Sequence, residues 1–441
     1  MPGELNLQIR LLRDAVNANV PQQLAYILLD ANPTGAQIQG IQMPLNLALV
    51  LDHSGSMNGA KIQNLREATK TLLQQMQPTD LISIITFDDQ AEVLARAQPV
   101  QNAAQLMQLV DTIQDRGGTQ ISLGLQQALD QVRQNFDPGR INKIVLLTDG
   151  NTWGDVPACQ ALAQQAGQQG IPIIALGLGL TSVAPAAPGM PAVVGMGDDW
   201  DPKFLDGLAQ ASGGSSDLID TPQKIVSVFQ NILRTAQATV VRNADLILRL
   251  VQDVQPRQVW QTLPLISNLS QRAIGPREIQ ITLGDIDKNM GKQILAELIL
   301  PPKPAGKNRI ALAEITYDVP AVGLAQQKVR AEIVIEYGAE SELNPQVMNI
   351  VERVSAHKLQ TQALSDAQAG NVAGATQKLR AAATRLLNIG ETQAAQDAMQ
   401  EANNLQQQGQ MSSAGTKRLN YNTRKLTQPL DSNAGGTPAQ P

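Results

Sequence analysis

Four short apolar runs, separated by segments with helical spacing, occupy residues 45–178 of this 441-residue chain. The runs cover residues 45–51, 81–87, 143–147 and 171–178. None of them alternates polar with apolar residues, which is typical of strands that are buried on both faces. Between them, apolar side chains recur at intervals of three and four, as amphipathic helices require. The pattern predicts an α/β domain with a doubly wound, mostly parallel, Rossmann-like sheet.

Oxygen-bearing side chains follow the ends of these predicted strands. Asp52, Ser54 and Ser56 come directly after the first strand, in the sequence DHSGS. Thr119 precedes an amphipathic helix in RGGT, and Asp149 follows the strand KIVLLT. Because ligands of doubly wound sheets bind at the carboxyl ends of the strands, we expect these five side chains to meet in one site.

The chemistry of the five side chains indicates a metal site. All are hard oxygen donors without sulfur or imidazole, a set that favours Mg²⁺, with Mn²⁺ or Ca²⁺ as alternatives. Hydroxyls are neutral ligands, so a bound ion keeps much of its positive charge. Such an ion attracts a further anionic oxygen, for example a carboxylate of a partner protein. The predicted chemistry is metal-bridged adhesion.

The same residues resemble a known family. D-x-S-x-S with a distant Thr and a later Asp is similar to the metal-ion-dependent adhesion site (MIDAS) of von Willebrand factor type A (vWA) domains, and the chain resembles bacterial intracellular vWA proteins. PTDL at 78–81, ITFDD at 85–89 and IVLLTDG at 144–150 extend the similarity. It covers about residues 45–236.

The resemblance implies roles for the site residues. Ser54, Ser56 and Thr119 would bind the metal directly, Asp52 and Asp149 directly or through water, and a partner's carboxylate would fill the open position. It also implies a non-enzymatic scaffold or assembly factor. One departure is a loop over about 181–197, rich in Pro, Ala, Gly and Met, which we interpret as a tolerated insertion.

The remaining chain divides into further regions. Alternating strands predict an antiparallel, β-sandwich-like domain over 238–340. Strands within 1–44 have no local sheet, so we expect them to pair with that domain, which leaves the vWA-like domain at 45–237 as an insertion. Residues 345–408 are Ala- and Gln-rich and predict a helical hairpin or bundle. Residues 409–441 have low apolar content and are expected to be disordered.

Composition narrows the possible functions. The chain has 34 basic and 39 acidic residues, a net charge of −5 and only 2% aromatic residues, which argues against nucleic-acid binding. One Cys and two His argue against disulfides and thiolate zinc sites. Charged residues near the N-terminus argue against a secretion signal. Four prolines in the long uncharged segment 171–197 argue against a membrane-spanning helix. We therefore expect a cytoplasmic protein. His53 is interpreted as structural or as part of the rim, and His357 as solvated.

The sequence is also compatible with three other functions or binding sites. A Mg²⁺-dependent phosphatase is disfavoured because Ser54 stands where an acid–base Asp would be needed. A structural subunit could self-assemble by bridging its metal to a carboxylate of another copy. A second partner could bind the helical region or the basic tail, where Thr416 or Thr423 would be phosphorylated within the basic tetrads 416–419 and 423–426.

Overall fold

A computed structural model of the protein describes residues 4–35, 38, 40, 42–150, 152, 154–179 and 201–427. Within these ranges the chain forms one helix-covered sheet, two further sheets and a group of C-terminal helices. No helix in the described ranges is long and apolar enough to cross a lipid bilayer.

Among the described residues, three strands precede the α/β domain: β1 (Leu5–Leu11), β2 (Ala15–Asn17) and β3 (Gln23–Pro33). β1 and β3 are antiparallel neighbours. Along its other edge β3 pairs with the strand Lys292–Leu300, which comes after the α/β domain in the sequence. The N-terminal ribbon is therefore completed by later strands, because two strands alone could not bury their apolar face.

The α/β domain follows in alternating order. Its strands are β4 (Leu45–Asp52), β5 (Leu81–Phe87), β6 (Ala91–Pro99), β7 (Ile141–Thr148), β8 (Ile173–Leu178) and β9 (Ser215–Ile219). Its helices are α1 (Ala60–Gln75), α2 (Ala103–Asp111), α3 (Ile121–Gln134), α4 (Val156–Gln168), α5 (Pro202–Ser212) and α6 (Lys224–Gln237). The sheet order is β6-β5-β4-β7-β8-β9, and only the edge strand β6 is antiparallel. The predicted mostly parallel, doubly wound sheet is confirmed.

The central strand β4 is buried along its whole length. Leu47, Leu49 and Leu51 pack into the core that contains residues of α1 and α6. Ala48 and Val50 face the opposite core, which contains residues of α3, α4 and α5. β4 has β5 on one side and β7 on the other, so the winding direction reverses at β4 and a crevice opens at its carboxyl end.

Eight strands follow the α/β domain. They are β10 (Thr239–Leu250), β11 (Gln255–Leu263), β12 (Ser267–Asn268), β13 (Arg272–Gly275), β14 (Glu278–Asp287), β15 (Lys292–Leu300), β16 (Gly306–Val319) and β17 (Leu324–Gly338). With the N-terminal strands they form two sheets, β1-β3-β15-β11-β12 and β13-β14-β10-β16-β17-β2. Side chains of both sheets, such as Leu29 and Leu246, share one apolar core. The predicted sandwich-like arrangement is confirmed.

Four helices end the described chain: α7 (Pro345–Gln368), α8 (Val372–Asn388), α9 (Thr392–Gln408) and α10 (Ser413–Asn422), with a short 3₁₀ turn at Thr423–Lys425. The prediction of a disordered tail from residue 409 is wrong for this part, since Leu419 and Tyr421 are buried. Glu401 also holds the start of α10 by accepting hydrogen bonds from the backbone N–H and the hydroxyl of Ser412, the N-cap residue of that helix. A few tertiary contacts order a segment whose own apolar content is low. Residues 428–441 lie outside the described part.

His357 and the second basic tetrad also differ from expectation. His357 was expected to be solvated, but it is buried on α7, and burial followed by the charge of Arg424 lowers its pKa to about 3. Its Nδ1 lies 3.1 Å from the hydroxyl of Thr423, which is itself 1% exposed. Interpreting Thr423 as an accessible phosphorylation site is therefore wrong for this structure, because tertiary packing encloses the hydroxyl.

Candidate metal site

The loop after β4 is folded back onto the strand end by local hydrogen bonds. Asp52 is the last residue of β4, and its Oδ1 accepts a 2.8 Å hydrogen bond from the backbone N–H of Ser54. A 3₁₀ turn over Gly55–Met57 follows, and the hydroxyl oxygens of Ser54 and Ser56 lie 3.1 Å apart. The short spacing of the motif thus gathers one carboxylate and two hydroxyls at the carboxyl end of the central strand.

The neighbouring strand β7 brings Asp149 to the same edge. The Ser56 hydroxyl donates a 2.7 Å hydrogen bond to Asp149 Oδ1. Asp52 and Asp149 are 0% and 2% exposed. Burial, followed by the nearby charge of Asp149, raises the pKa of Asp52 to about 6. Two enclosed carboxylates concentrate negative charge here, and a bound cation would relieve their repulsion.

Thr119 approaches from the loop before α3. This loop is joined to the motif loop by a 3.1 Å hydrogen bond from the backbone N–H of Gly55 to the carbonyl oxygen of Gly117. Thr119 is 8% exposed, and its hydroxyl oxygen lies 3.6 Å from the position that a Cβ on Gly150 would occupy. The Thr119 hydroxyl therefore lies beside the backbone that follows Asp149.

Two contacts of the site were missed by the sequence analysis. The Thr148 hydroxyl donates a 2.5 Å hydrogen bond to Asp52 Oδ2 and so holds the second oxygen of that carboxylate. The Lys61 ammonium lies 2.5 Å from Asp149 Oδ2, and Lys61 is only 6% exposed. The position of Lys61 in the sequence could have indicated its role. It lies with Leu65 and Leu72 on the apolar face of α1, where a buried lysine is unusual.

His53 does not face the site. Its Nδ1 lies 2.8 Å from the carbonyl oxygen of Gln114, and its backbone carbonyl accepts a 2.7 Å hydrogen bond from the N–H of Arg116. The Arg116 guanidinium in turn donates a 2.9 Å hydrogen bond to Asp88. These contacts brace the loop that carries Thr119, which agrees with a structural role for His53.

The structure links Asp52, Ser54, Ser56 and Asp149 by hydrogen bonds and places Thr119 beside them. Nowhere in the described ranges do three or more His, Cys, Asp or Glu side chains form a group that could hold a metal. An ion at this edge would thus depend on hydroxyls as well as carboxylates. The donor set fits a hard divalent cation such as Mg²⁺. The loop 181–197 lies outside the described residues.

Two parts of the chain match family models of known proteins. Residues 46–216 match the family model of the von Willebrand factor type A domain. This part of the chain is a vWA domain. Residues 345–429 match a second model, the C-terminal alpha-helical domain of Sll0103-like proteins. vWA domains commonly mediate protein–protein interactions.

Individual relatives and solved structures are similar to this chain over different shares of its length. The uncharacterized protein sll0103 of Synechocystis sp. is 27% identical over 349 residues, which are 78% of each chain. Human inter-alpha-trypsin inhibitor heavy chain H4 is 38% identical over 120 residues, only 25% of this chain and 13% of that protein. The solved structure of von Willebrand factor type A from Catenulispora acidiphila has a TM-score of 0.74, 17% identity and 96% coverage of both chains. At that identity the last similarity concerns the fold alone.

Proposed function

We propose that the vWA domain binds Mg²⁺ through Asp52, Ser54, Ser56, Thr119 and Asp149 and uses the ion to bind a carboxylate of a partner protein. The observation that carries the proposal is the hydrogen bond from Ser56 to Asp149, which joins the loops that follow β4 and β7 across 93 residues of sequence. It supports one shared ligand set at the carboxyl edge of the sheet. In the cell, we expect the protein to act in the cytoplasm as a scaffold or assembly factor.

The kind of partner follows from the ligand chemistry. Three of the five ligands are neutral hydroxyls, so they compensate little of the charge of a divalent ion. Mg²⁺ favours six oxygen ligands and retains water at positions that the protein does not fill. An Asp or Glu side chain of a partner can replace such a water and supply the missing negative charge.

The same residues support a non-enzymatic role. Ser54 stands two residues after Asp52, and a serine hydroxyl does not protonate a leaving group near neutral pH. Asp149 accepts hydrogen bonds from both Ser56 and Lys61, so both of its carboxylate oxygens already have partners within the domain. Hydrolysis of p-nitrophenyl phosphate in Mg²⁺ that disappears in Asp52→Ala would contradict this part of the proposal.

Metal binding is tested by calorimetric titration of the chelator-treated full chain with MgCl₂. Wild-type protein is expected to bind one equivalent, and Asp52→Ala is expected to lose binding because it removes a buried charged ligand. Asp130→Ala is the matched control, since Asp130 lies on α3 with a side chain that is 42% exposed. Equal Mg²⁺ binding by wild type and Asp52→Ala would refute the site.

Partner binding is tested with immobilised protein in Mg²⁺ and elution with EDTA, using Asp52→Ala as the parallel column. Captured proteins are then mapped with peptide arrays in which each Asp or Glu is replaced by Asn or Gln. We expect one acidic position to be essential in each bound peptide. Binding that tolerates every such replacement would contradict a carboxylate ligand, and Mg²⁺-dependent light scattering of the protein alone would indicate self-assembly instead.

A further inference from the structure

A buried lysine is built into the candidate metal site. Lys61 lies in the first turn of α1, directly after the motif loop, and its side chain is 8% exposed. Its ammonium contacts Asp149 Oδ2 at 2.5 Å, and the Asp149 side chain is 0% exposed. A cation is thus already paired with one of the two carboxylates that would compensate the charge of a bound ion.

The ion pair with Lys61 already compensates much of the negative charge of Asp149. Its Oδ1 accepts a hydrogen bond from Ser56 and its Oδ2 contacts Lys61. A metal ion that draws on this carboxylate competes with the ammonium for the same negative charge, and like charges repel strongly in a site that excludes solvent. The ammonium therefore opposes metal binding. For the same reason it leaves a bound ion with more positive charge to offer to an additional anion.

We propose that Lys61 sets the metal affinity and the ligand preference of this site. By compensating the charge of Asp149 it weakens binding of Mg²⁺ alone and makes tight binding depend on a carboxylate from outside the domain. The inference rests on the proposed function, because it concerns the same ion. It adds that the metal and the partner's carboxylate bind cooperatively, each raising the affinity for the other.

If the Lys61–Asp149 ion pair had only a structural role, removing Lys61 would change the Mg²⁺ affinity in a different direction. If Lys61 served only to hold Asp149 in place, its removal would disorder a ligand, and Mg²⁺ would bind more weakly or with unchanged affinity. If Lys61 competes with the metal, its removal makes Mg²⁺ bind more tightly. The sign of the change in affinity therefore separates the two roles.

The test is calorimetric titration of Lys61→Met with MgCl₂, in the presence and absence of acetate as the carboxylate probe. We expect the Kd for Mg²⁺ alone to fall by about tenfold or more, because a unit of positive charge next to a ligand is removed. Acetate should lower the Kd of wild-type protein markedly and that of Lys61→Met much less. Lys70→Met is the matched control, since Lys70 lies on the same helix and pairs with Asp111 at the surface.

Each outcome has one meaning. Mg²⁺ binding to Lys61→Met that is equal to or weaker than wild type overturns the inference and leaves the proposed function intact. If neither wild type nor Lys61→Met binds Mg²⁺, with or without acetate, the proposed function itself is refuted. If Lys61→Met does not fold, Lys61→Gln carries the same expectation, since it keeps a hydrogen-bond donor without the charge. Thermal unfolding in EDTA establishes folding for each variant.

Discussion

The guanidinium of Arg424 binds the carboxylate of Asp206 through both of its terminal nitrogens, at 2.9 and 2.6 Å, across 218 residues of sequence. Asp206 belongs to α5 of the vWA domain, whereas Arg424 follows the last helix. The backbone carbonyl of Arg424 also accepts a 2.8 Å hydrogen bond from the N–H of Ile266 in the sandwich region. The segment 421–427, here called the C-terminal strap, therefore connects the C-terminal helices to the vWA domain and to the sandwich region.

Arg424→Ala is expected to lower the free energy of unfolding by about 2 kcal/mol, because it leaves the partly buried carboxylate of Asp206 without its cation. Urea denaturation followed by circular dichroism measures the change. Arg418→Ala on the exposed side of α10 is the control and should stay within about 0.5 kcal/mol of wild type. Equal stability of the two variants would mean that the strap contributes little to stability.

His357 should make stability fall in mild acid. Burial, followed by the nearby charge of Arg424, lowers its folded-state pKa to about 3, from a usual value of 6.5. Below pH 6.5 the unfolded chain binds a proton that the folded chain does not, so stability is lost as pH falls toward 3. Between about pH 7.5 and about pH 5 the loss is expected to be about 2 kcal/mol.

His357→Gln provides the comparison, because glutamine is neutral throughout this range. Urea denaturation at both pH values is expected to give a smaller loss for the variant than for wild type, by about 2 kcal/mol. Since other titrating groups are common to both proteins, the difference isolates His357. Parallel pH profiles for the two proteins would contradict a buried, neutral imidazole.

Thr148→Val tests the hydrogen bond that orients Asp52. Valine keeps the shape of threonine but cannot donate to Asp52 Oδ2, so the carboxylate loses one of its supports. Loss of such a supporting contact is expected to weaken Mg²⁺ binding by about tenfold or more. Calorimetric titration measures the change, with the exposed Thr112→Val as control. Unchanged Mg²⁺ affinity would show that Thr148 does not support the site.

Gly124→Ala tests how closely α3 packs on the sheet. A Cβ at Gly124 would lie 2.8 Å from Val50 and 3.0 Å from Phe87, both in the core. We expect a loss of about 1–3 kcal/mol from overpacking. Gly207→Ala on α5 is the matched control, because nothing lies within 4 Å of its added methyl group, and it should stabilise by up to about 1 kcal/mol. Thermal denaturation compares the two, and equal effects would refute close packing of α3.

Much of the α/β domain could be predicted because its signals are local. Strands buried on both faces need unbroken apolar runs, and β4, β5, β7 and β8 lie within or around the predicted runs. The edge strand β6 and the short strand β9 carry weaker patterns, since each has exposed or half-exposed positions, and they were not predicted. The sequence also predicts that Asp52 and Asp149 meet, because each lies where a parallel strand ends and these strand ends share one edge of the sheet.

Other features depend on contacts between distant residues. Thr148 and Lys61 carry no motif of their own, and their roles appear only when β7 and α1 are brought against Asp52 and Asp149. The strap likewise has a polar composition that predicts disorder. It becomes ordered because Tyr421 is buried against the vWA core. Neither spacing nor composition encodes such distant partners.

The sequence by itself determined the sheet with its helices, the sandwich-like region and the oxygen-bearing strand ends, because periodicity and strand-end position are properties of neighbouring residues. Only the tertiary structure decided which cation lies beside Asp149 and how the C-terminal strap is held. Both depend on side chains that meet across long loops, where the free energy comes from burial and charge pairing that exist only after the chain has folded.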